Sequence, residues 1–388
     1  MKTIQYKDFS LNTHKKNWRI SKQNVCQFEL TFKCGLHCGH CYCDCYNKPS
    51  YIKKELNTEQ IKLIIDKIYK LGVIWLCFTG GDPLERNDFL EIYEYAKDKG
   101  FLITIFTTGY SLTEQAADYL AKRPPFAIEI TINGVTKNTY ENITRVKGSY
   151  KKAMAGLDMI LKRNLPLKVK TMATQQNLEE LPKIKEFLES RGLEFRPGLL
   201  LQAGLDGDTT PCSLRLKPEQ IVELDKLFEV QSVEEDEGGI NMFLDCPVKP
   251  GNDKRERGND KKYGNDESGV GMTKNTISDK RLFRCAAGSL DGVNIDPYGK
   301  MFMCSCIREP GIDLLKAEPE DIRKMFSVFQ NIAGVKIKTD SKCYNCDMID
   351  FCLLCPGKAY LETGDMHKEV EYFCELAKTA QKRIKEFI

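Results

Sequence analysis

Between residue 25 and about residue 201, short β-rich runs alternate with amphipathic stretches. Residues 58–71 place four isoleucines, at positions 61, 64, 65 and 68, on one helical face, and Gly72 follows as a stop signal. The pattern also predicts six strands, over residues 25–32, 73–79, 102–107, 126–132, 167–171 and 193–200. Six β-α units in series predict a parallel sheet with its connecting helices packed outside.

The predicted fold is therefore α/β, with a partial (β/α)6 barrel over residues 25–201 and a small irregular C-terminal domain over residues 285–388. We expect residues 1–24 to form an N-terminal segment and residues 202–284 to bridge the two domains. Within the bridge, residues 251–276 are rich in Gly, Asn, Lys and Asp and cannot bury enough apolar surface to become ordered, which predicts a flexible loop. Active sites in such folds lie at the carboxyl ends of the strands.

Charge and cysteine content narrow the class of protein. The 58 basic and 55 acidic residues leave a net charge of +3, too small to indicate a nucleic-acid or membrane partner. The sequence shows neither an apolar run long enough to span a membrane nor a signal peptide, so we expect a cytoplasmic protein. Thiols stay reduced there, and the 17 cysteines are interpreted as metal ligands and buried thiols rather than disulfides.

Three cysteines, Cys34, Cys38 and Cys41, directly follow the first predicted strand. An electron-transfer 4Fe–4S cluster takes four thiolates, so three would leave one iron open to another ligand. With His40 before the third cysteine, the motif resembles that of the radical S-adenosylmethionine (radical SAM) enzymes. This resemblance implies a 4Fe–4S cluster whose open iron binds S-adenosylmethionine. The alternative is a zinc site or a group of unligated thiols.

Other segments resemble the cofactor-binding turns of the same family. Gly80-Gly81-Asp82-Pro83, after the second predicted strand, resembles a Gly-Gly-Glu-Pro segment that grips the amino group of the methionine moiety, with Asp in place of Glu. Without that context this segment would be a plain turn. The resemblance further implies roles for three polar side chains: Thr108 in a Thr-Asn-Gly-like turn, Thr131 toward the ribose, and Arg145 toward the methionine carboxylate.

Seven C-terminal cysteines resemble the SPASM extension, which holds two auxiliary 4Fe–4S clusters in radical SAM enzymes that act mainly on peptides and proteins. The resemblance implies two ligand sets: Cys343, Cys346, Cys352 and Cys374 for the far cluster, and Cys285, Cys304 and Cys355 for the nearer one. The fourth ligand of the nearer cluster is left as Cys246, Cys306 or an open site. The spacing from Cys352 to Cys355 is one residue shorter than the usual pattern, and a pair of zinc knuckles is the alternative.

The resemblance implies an oxidoreductase with three 4Fe–4S clusters and S-adenosylmethionine. It would generate a 5′-deoxyadenosyl radical and form a thioether or carbon–carbon crosslink in a ribosomally made peptide. Implied partners are that peptide, a flavodoxin- or ferredoxin-type electron donor and a separate leader-binding protein, because the segment before the first strand is too short for a leader-binding domain. Cys212, in the bridge, is a candidate hydrogen-atom donor.

Three alternative functions remain open from the sequence. A tetrapyrrole- or cofactor-modifying radical enzyme ranks second. A sulfatase-type maturase ranks third, because Ser305 stands where that branch carries an aspartate directly after the cysteine corresponding to Cys304. A zinc-stabilised binding module without catalysis is the alternative from another class.

Overall fold

The computed structural model of the protein describes residues 24–227 and 280–387, apart from residues 291, 350 and 354. Its first six strands follow the six predicted runs: β1 (Val25–Thr31), β2 (Trp75–Gly80), β3 (Leu102–Thr107), β4 (Ala127–Thr131), β5 (Leu167–Met172) and β6 (Phe195–Gly198). Each strand pairs in parallel with the next along the chain. The prediction of an α/β fold with six parallel strands is confirmed.

The helices begin and end at residues with clear local signals. The helix Thr58–Leu71 begins at Asn57, whose side chain accepts from Gln60 N while the Gln60 side chain accepts from Asn57 N, and it ends at Gly72 with a φ of 89°. The other helices are Pro49–Ile52, Phe89–Asp98, Glu114–Lys122, Lys137–Thr144, Ser149–Lys162, Leu181–Glu189, Pro218–Leu227, Ala286–Ser289, Pro319–Ala333, Pro356–Thr363 and Glu371–Phe387. Short 3-10 helices cover Asp44–Tyr46, Pro83–Glu85, Leu178–Glu180 and Thr210–Leu214.

The C-terminal part of the chain extends the same sheet, which the sequence pattern did not predict. Strand β7 (Gly292–Ile295) pairs in parallel with β1, and β8 (Lys300–Phe302) and β9 (Gly311–Asp313) follow in antiparallel order. The strand order is β6-β5-β4-β3-β2-β1-β7-β8-β9. The predicted domain boundary at residue 285 stays a prediction, and the sheet is continuous across the two segments that it separates.

The two faces of the sheet differ in polarity. Phe28, Phe78 and Ile295 lie side by side in register on one face, and all three are fully buried in the core that the helices cover. Alternate residues point to the opposite face. There Glu129 pairs in register with Lys168, and these side chains are only partly buried or exposed. The helix side therefore holds the hydrophobic core, and the other side is polar.

Several predictions fall outside the described residues. These are the N-terminal segment up to residue 23, Cys246, and the loop at residues 251–276. In the described ranges no helix combines the length and the apolar character needed to cross a membrane.

Candidate active site

The loop of Cys34, Cys38 and Cys41 follows β1 and is clamped by Asn47, a residue that the sequence analysis missed. Asn47 Nδ2 donates to the carbonyls of Cys34 (3.0 Å) and Leu36 (3.4 Å), and Asn47 Oδ1 accepts from Cys34 N (3.2 Å). One amide side chain thus bonds to the start of the loop from beyond its end. Asparagine is common in turns, so only the fold distinguishes this one.

A second set of contacts holds the cysteine loop against the end of the helix Lys137–Thr144. The amides of His37 and Gly39 donate to the carbonyls of Thr144 and Ile143, each at 3.0 Å. A Cβ atom on Gly39 would lie 2.9 Å from Nη2 of Arg145, so a larger residue there would displace the guanidinium. The structure therefore brings the predicted Arg145 against the cysteine loop.

The three thiols of this loop are electrostatic neighbours. Burial and Asp82 raise the pKa of Cys34, and Cys38 and Cys41 raise it further. Burial and Cys41 likewise raise the pKa of Cys38. A hydrogen bond with Cys43, 3.7 Å away, lowers the pKa of Cys41. Metal or cluster binding at these sulfurs must therefore displace protons.

The two glycines after β2 let the backbone pack on the start of the cysteine loop. Gly80 has a φ of 130°, and a Cβ there would lie 2.1 Å from the carbonyl oxygen of Thr31. A Cβ on Gly81 would lie 2.4 Å from the carbonyl oxygen of Lys33. Any side chain at either position would push the two loops apart, which explains the glycine pair. Pro83 then begins the 3-10 helix Pro83–Glu85 and is buried.

Asp82 joins the ends of β2 and β3, and its carboxylate already has several donors. It accepts from the hydroxyl of Thr107 (2.9 Å), from the amide (2.9 Å) and hydroxyl (2.7 Å) of Thr108, and from Leu84 N (3.0 Å). The residue is 1% exposed. Burial raises the pKa of Asp82, whereas the hydrogen bonds from Thr108 and Leu84 lower it. The contacts show a residue that holds two loops together, and its predicted bond to an ammonium group stays a prediction.

The predicted cofactor residues are collected at one edge of the sheet. Gly80 ends β2, Thr108 follows β3, and Thr131 ends β4, where it is partly buried and paired in register with Lys170. This is the edge to which β1 delivers the cysteine loop. The structure thus brings these residues to the cysteine motif, as expected for the carboxyl ends of parallel strands.

The nearer auxiliary set also comes together. Burial, Cys355 and Cys304, in that order, raise the pKa of Cys285 to about 11. Cys304 in turn raises the pKa of Cys355, after burial. Cys212 packs beside this set, in a small cluster with Ala203, Leu361 and Cys306, and burial raises its pKa to about 11.

The far auxiliary set is a separate group of thiols. Burial, Cys374 and Cys343, in that order, raise the pKa of Cys352 to about 11. Burial also raises the pKa of Cys374, with Cys343 and Cys346 adding to the effect. The four predicted ligands therefore lie within electrostatic range of one another.

The donor type of the thiol sets bears on which metal group they would hold. Across the described ranges, no three His, Cys, Asp or Glu side chains converge closely enough to hold one metal ion. A zinc ion draws its donors to within about 2.0–2.3 Å of one point, whereas a 4Fe–4S cluster spreads its thiolates over a larger body. Three sets of cysteines in mutual electrostatic contact, one of them beside two side-chain-free glycines, fit clusters in donor type.

Two buried ion pairs, also missed from the sequence, tie the barrel to the C-terminal part. Arg308 donates to both carboxylate oxygens of Glu29 on β1, at 2.7 and 2.8 Å. Arg215 pairs with Glu362 at 2.5 Å and also donates to the carbonyl of Leu201. Both arginines make bidentate contacts, the geometry in which guanidinium groups hold carboxylates best.

Comparisons with known proteins agree with this arrangement. Residues 28–188 match the radical SAM superfamily. An AdoMet-dependent heme synthase of Methanosarcina barkeri is 25% identical over 346 residues, covering 89% of this chain and 94% of that protein. A PqqA peptide cyclase of Rhizobium meliloti is 30% identical over 172 residues, covering 43% of this chain and 44% of that protein.

Similarity to solved structures extends over the whole fold. SuiB of Streptococcus suis, bound to its precursor peptide SuiA, superposes with a TM-score of 0.64 and 12% identity. The match covers 94% of this chain and 80% of SuiB. At that identity the likeness concerns the fold alone, including the C-terminal part beyond the barrel. Taken with the cysteine loop and its neighbouring strand ends, the family match identifies residues 28–188 as a radical SAM domain.

Proposed function

We propose that the enzyme oxidatively modifies a ribosomally made peptide by forming a thioether or carbon–carbon crosslink, using three 4Fe–4S clusters. The observation that carries this proposal is the presence of three separate cysteine sets in one fold. When bound, the cofactors would supply the radical chemistry: reductive cleavage of S-adenosylmethionine, removal of a hydrogen atom from the peptide, and acceptance of the electron released, together with a proton, when the crosslink forms.

The chain's own residues would bind and orient the cofactor. The loop of Cys34, Cys38 and Cys41 would hold the first cluster, with Asn47 fixing the loop. Arg145, beside Gly39, is suited to the methionine carboxylate because a guanidinium can donate two parallel hydrogen bonds to a carboxylate. Gly80, Gly81, Asp82, Pro83, Thr108 and Thr131 would line the remaining walls. Cys212 remains a candidate hydrogen-atom donor, and its place beside the nearer auxiliary set supports a role close to the substrate.

A peptide fits the open side of the sheet. Among the described residues β6 pairs only with β5, so β6 forms one edge of the sheet and this edge is next to the polar face. An extended peptide can bind such an edge through main-chain hydrogen bonds, which would set its register while one side chain reaches the radical. SuiB, which shares the fold, was crystallised with a precursor peptide. A flavodoxin- or ferredoxin-type donor and a separate leader-binding protein are the proposed partners.

A tetrapyrrole substrate is the second candidate, favoured by two observations. The heme synthase of Methanosarcina barkeri matches almost the full length of both chains, whereas the peptide cyclase matches less than half. In addition, Lys170 pairs in register with Arg196 on the polar face, and Lys168 lies one step away on the same face. These three cations could bind the carboxylates of a tetrapyrrole.

Label transfer distinguishes the two substrates. Holoenzyme would be incubated anaerobically with reductant, S-adenosylmethionine and one of two deuterated substrates. The first is a synthetic peptide with the sequence of a short open reading frame beside the enzyme's gene, and the second is a tetrapyrrole. The proposal predicts deuterium in 5′-deoxyadenosine only with the peptide, and a peptide product lighter by two hydrogens. If deuterium is transferred from the tetrapyrrole and not from the peptide, the peptide assignment is wrong and the tetrapyrrole is the substrate.

A further inference from the structure

A fourth buried thiol, Cys306, lies within the nearer auxiliary set. It is 7% exposed and packs with Ala203 and Leu361. The hydrogen bond to Cys304 and burial raise the pKa of Cys306, and Cys355 adds to that rise. Cys306 is therefore in electrostatic contact with two of the three cysteines assigned to this set. Cys212, although close by, has neither of them among the groups that shift its own pKa.

The backbone around Cys306 is packed too tightly for any larger neighbour. A Cβ atom on Gly357 would lie 2.7 Å from Cβ of Cys306 and 3.3 Å from Sγ of Cys304. The segment that carries Cys355 therefore rests directly on the turn that carries Cys304 and Cys306. This close approach brings thiols from two distant parts of the sequence to one place, and it depends on glycine.

Lys358 supplies positive charge beside these thiols. It is 8% exposed, and its Nζ donates to the carbonyl of Leu200 at 3.1 Å. Among the described residues Lys358 forms no ion pair. An ammonium group that is removed from water needs an anionic partner, because burying an unpaired charge is costly. Lys358 opposes the rise in pKa at both Cys355 and Cys306, so its charge lies within electrostatic range of both sulfurs.

We propose that Cys306 is the fourth ligand of the nearer auxiliary cluster, which closes that site to substrate, and that Lys358 balances its negative charge. This inference rests on the proposed function, since it requires the clusters. Cys304 and Cys306 would both lose their protons on binding the cluster. Gln202, whose Oε1 now accepts from Cys306 Sγ at 3.2 Å, can turn its amide to donate instead.

The test isolates the auxiliary clusters by replacing Cys34, Cys38 and Cys41 with Ala in the full chain. This parent should hold about eight irons, four in each auxiliary cluster. Adding Cys306→Ala should lower the count to about seven or fewer after mild oxidation and produce the electron paramagnetic resonance signal of a three-iron cluster. Cys212→Ala is the matched control from the same small cluster, and it should leave iron content and spectrum unchanged.

The inference is wrong if the Cys306→Ala protein has the same iron count and spectrum as the parent. It is also wrong if Cys246→Ala, rather than Cys306→Ala, causes the loss of iron. If Cys306→Ala loses all iron, Cys306→Ser decides the question, because a serine oxygen can still bind iron. An altered spectrum with full iron in that variant supports ligation, and an unaltered one refutes it. A parent that holds zinc instead of iron would refute the proposed function itself, so the two failures are distinguishable.

Discussion

The ion pair between Glu29 and Arg308 is predicted to be a major stabilising contact between the barrel and the C-terminal part. Glu29 is 2% exposed and the Arg308 side chain 17%. The guanidinium also lies over the rings of Phe302 and Phe32, at 4.8 and 5.5 Å. Burial alone would lower the pKa of Arg308, but the carboxylate of Glu29 outweighs it and raises that pKa. Removing either partner would leave the other as an uncompensated buried charge.

The expected cost follows from that burial. Arg308→Met should lower the free energy of unfolding by about 3–5 kcal/mol, the range for breaking a buried pair. Glu29→Met should cost a similar amount, whereas the double variant should recover most of the loss, because two apolar side chains leave no charge unpaired. Anaerobic urea unfolding of the holoenzyme, followed by circular dichroism, would measure these differences as a double-mutant cycle.

A matched surface pair provides the control. Arg323 and Glu320 lie 2.6 Å apart, as close as the buried pair, but both side chains are more than half exposed. Arg323→Met should therefore shift the unfolding midpoint little, because solvent screens exposed pairs. If Arg308→Met is no more destabilising than Arg323→Met, the reasoning from burial is wrong.

Three further predictions concern the cysteine sites. Asn47→Ala should reduce the iron held by the first cluster, because three hydrogen bonds to the cysteine loop are lost; iron content equal to wild type would contradict this. In protein stripped of iron, Cys304 should be alkylated by iodoacetamide at lower pH than Cys285. The reason is that only the thiolate reacts: the hydrogen bond with Cys306 lowers the pKa of Cys304, whereas burial raises the pKa of Cys285 to about 11. Peptide mass spectra that show Cys285 alkylated at lower pH than Cys304 would refute this. Lys358→Met should lower the reduction potential of the nearer auxiliary cluster and Lys358→Arg should not; equal potentials in redox titrations would exclude the charge-balancing role.

The parts of the fold that the sequence predicts correctly are those with local sequence signals. The four isoleucines of the helix Thr58–Leu71, its capping residue Asn57 and the Gly72 stop lie within sixteen residues, so the prediction matches the observed bounds. The six parallel strands follow because β-α alternation in series restricts the topology. The pairing of β7 with β1 was missed, since a four-residue strand carries no signal for its neighbour.

The same limit applies to the site. The spacing of Cys34, Cys38 and Cys41 is local and identifies the motif. The partners that hold the site are distant in sequence: 279 positions separate Glu29 from Arg308. The contacts of Asp82 with Thr107 and Thr108 also have no local signal, because they exist only once two strand ends meet. Such contacts are consequences of the fold and have no pattern in the sequence.

Cleavage of S-adenosylmethionine is the most direct test of the account. Reduced, anaerobically reconstituted protein should convert it to 5′-deoxyadenosine even without substrate, because electron delivery needs only the first cluster. The Cys38→Ala protein should produce none, while the matched Cys26→Ala protein, altered at a core thiol within β1, should remain active. Absence of 5′-deoxyadenosine from the iron-loaded wild type, or equal amounts from Cys38→Ala, would contradict the assignment of the cysteine loop as the radical-generating site.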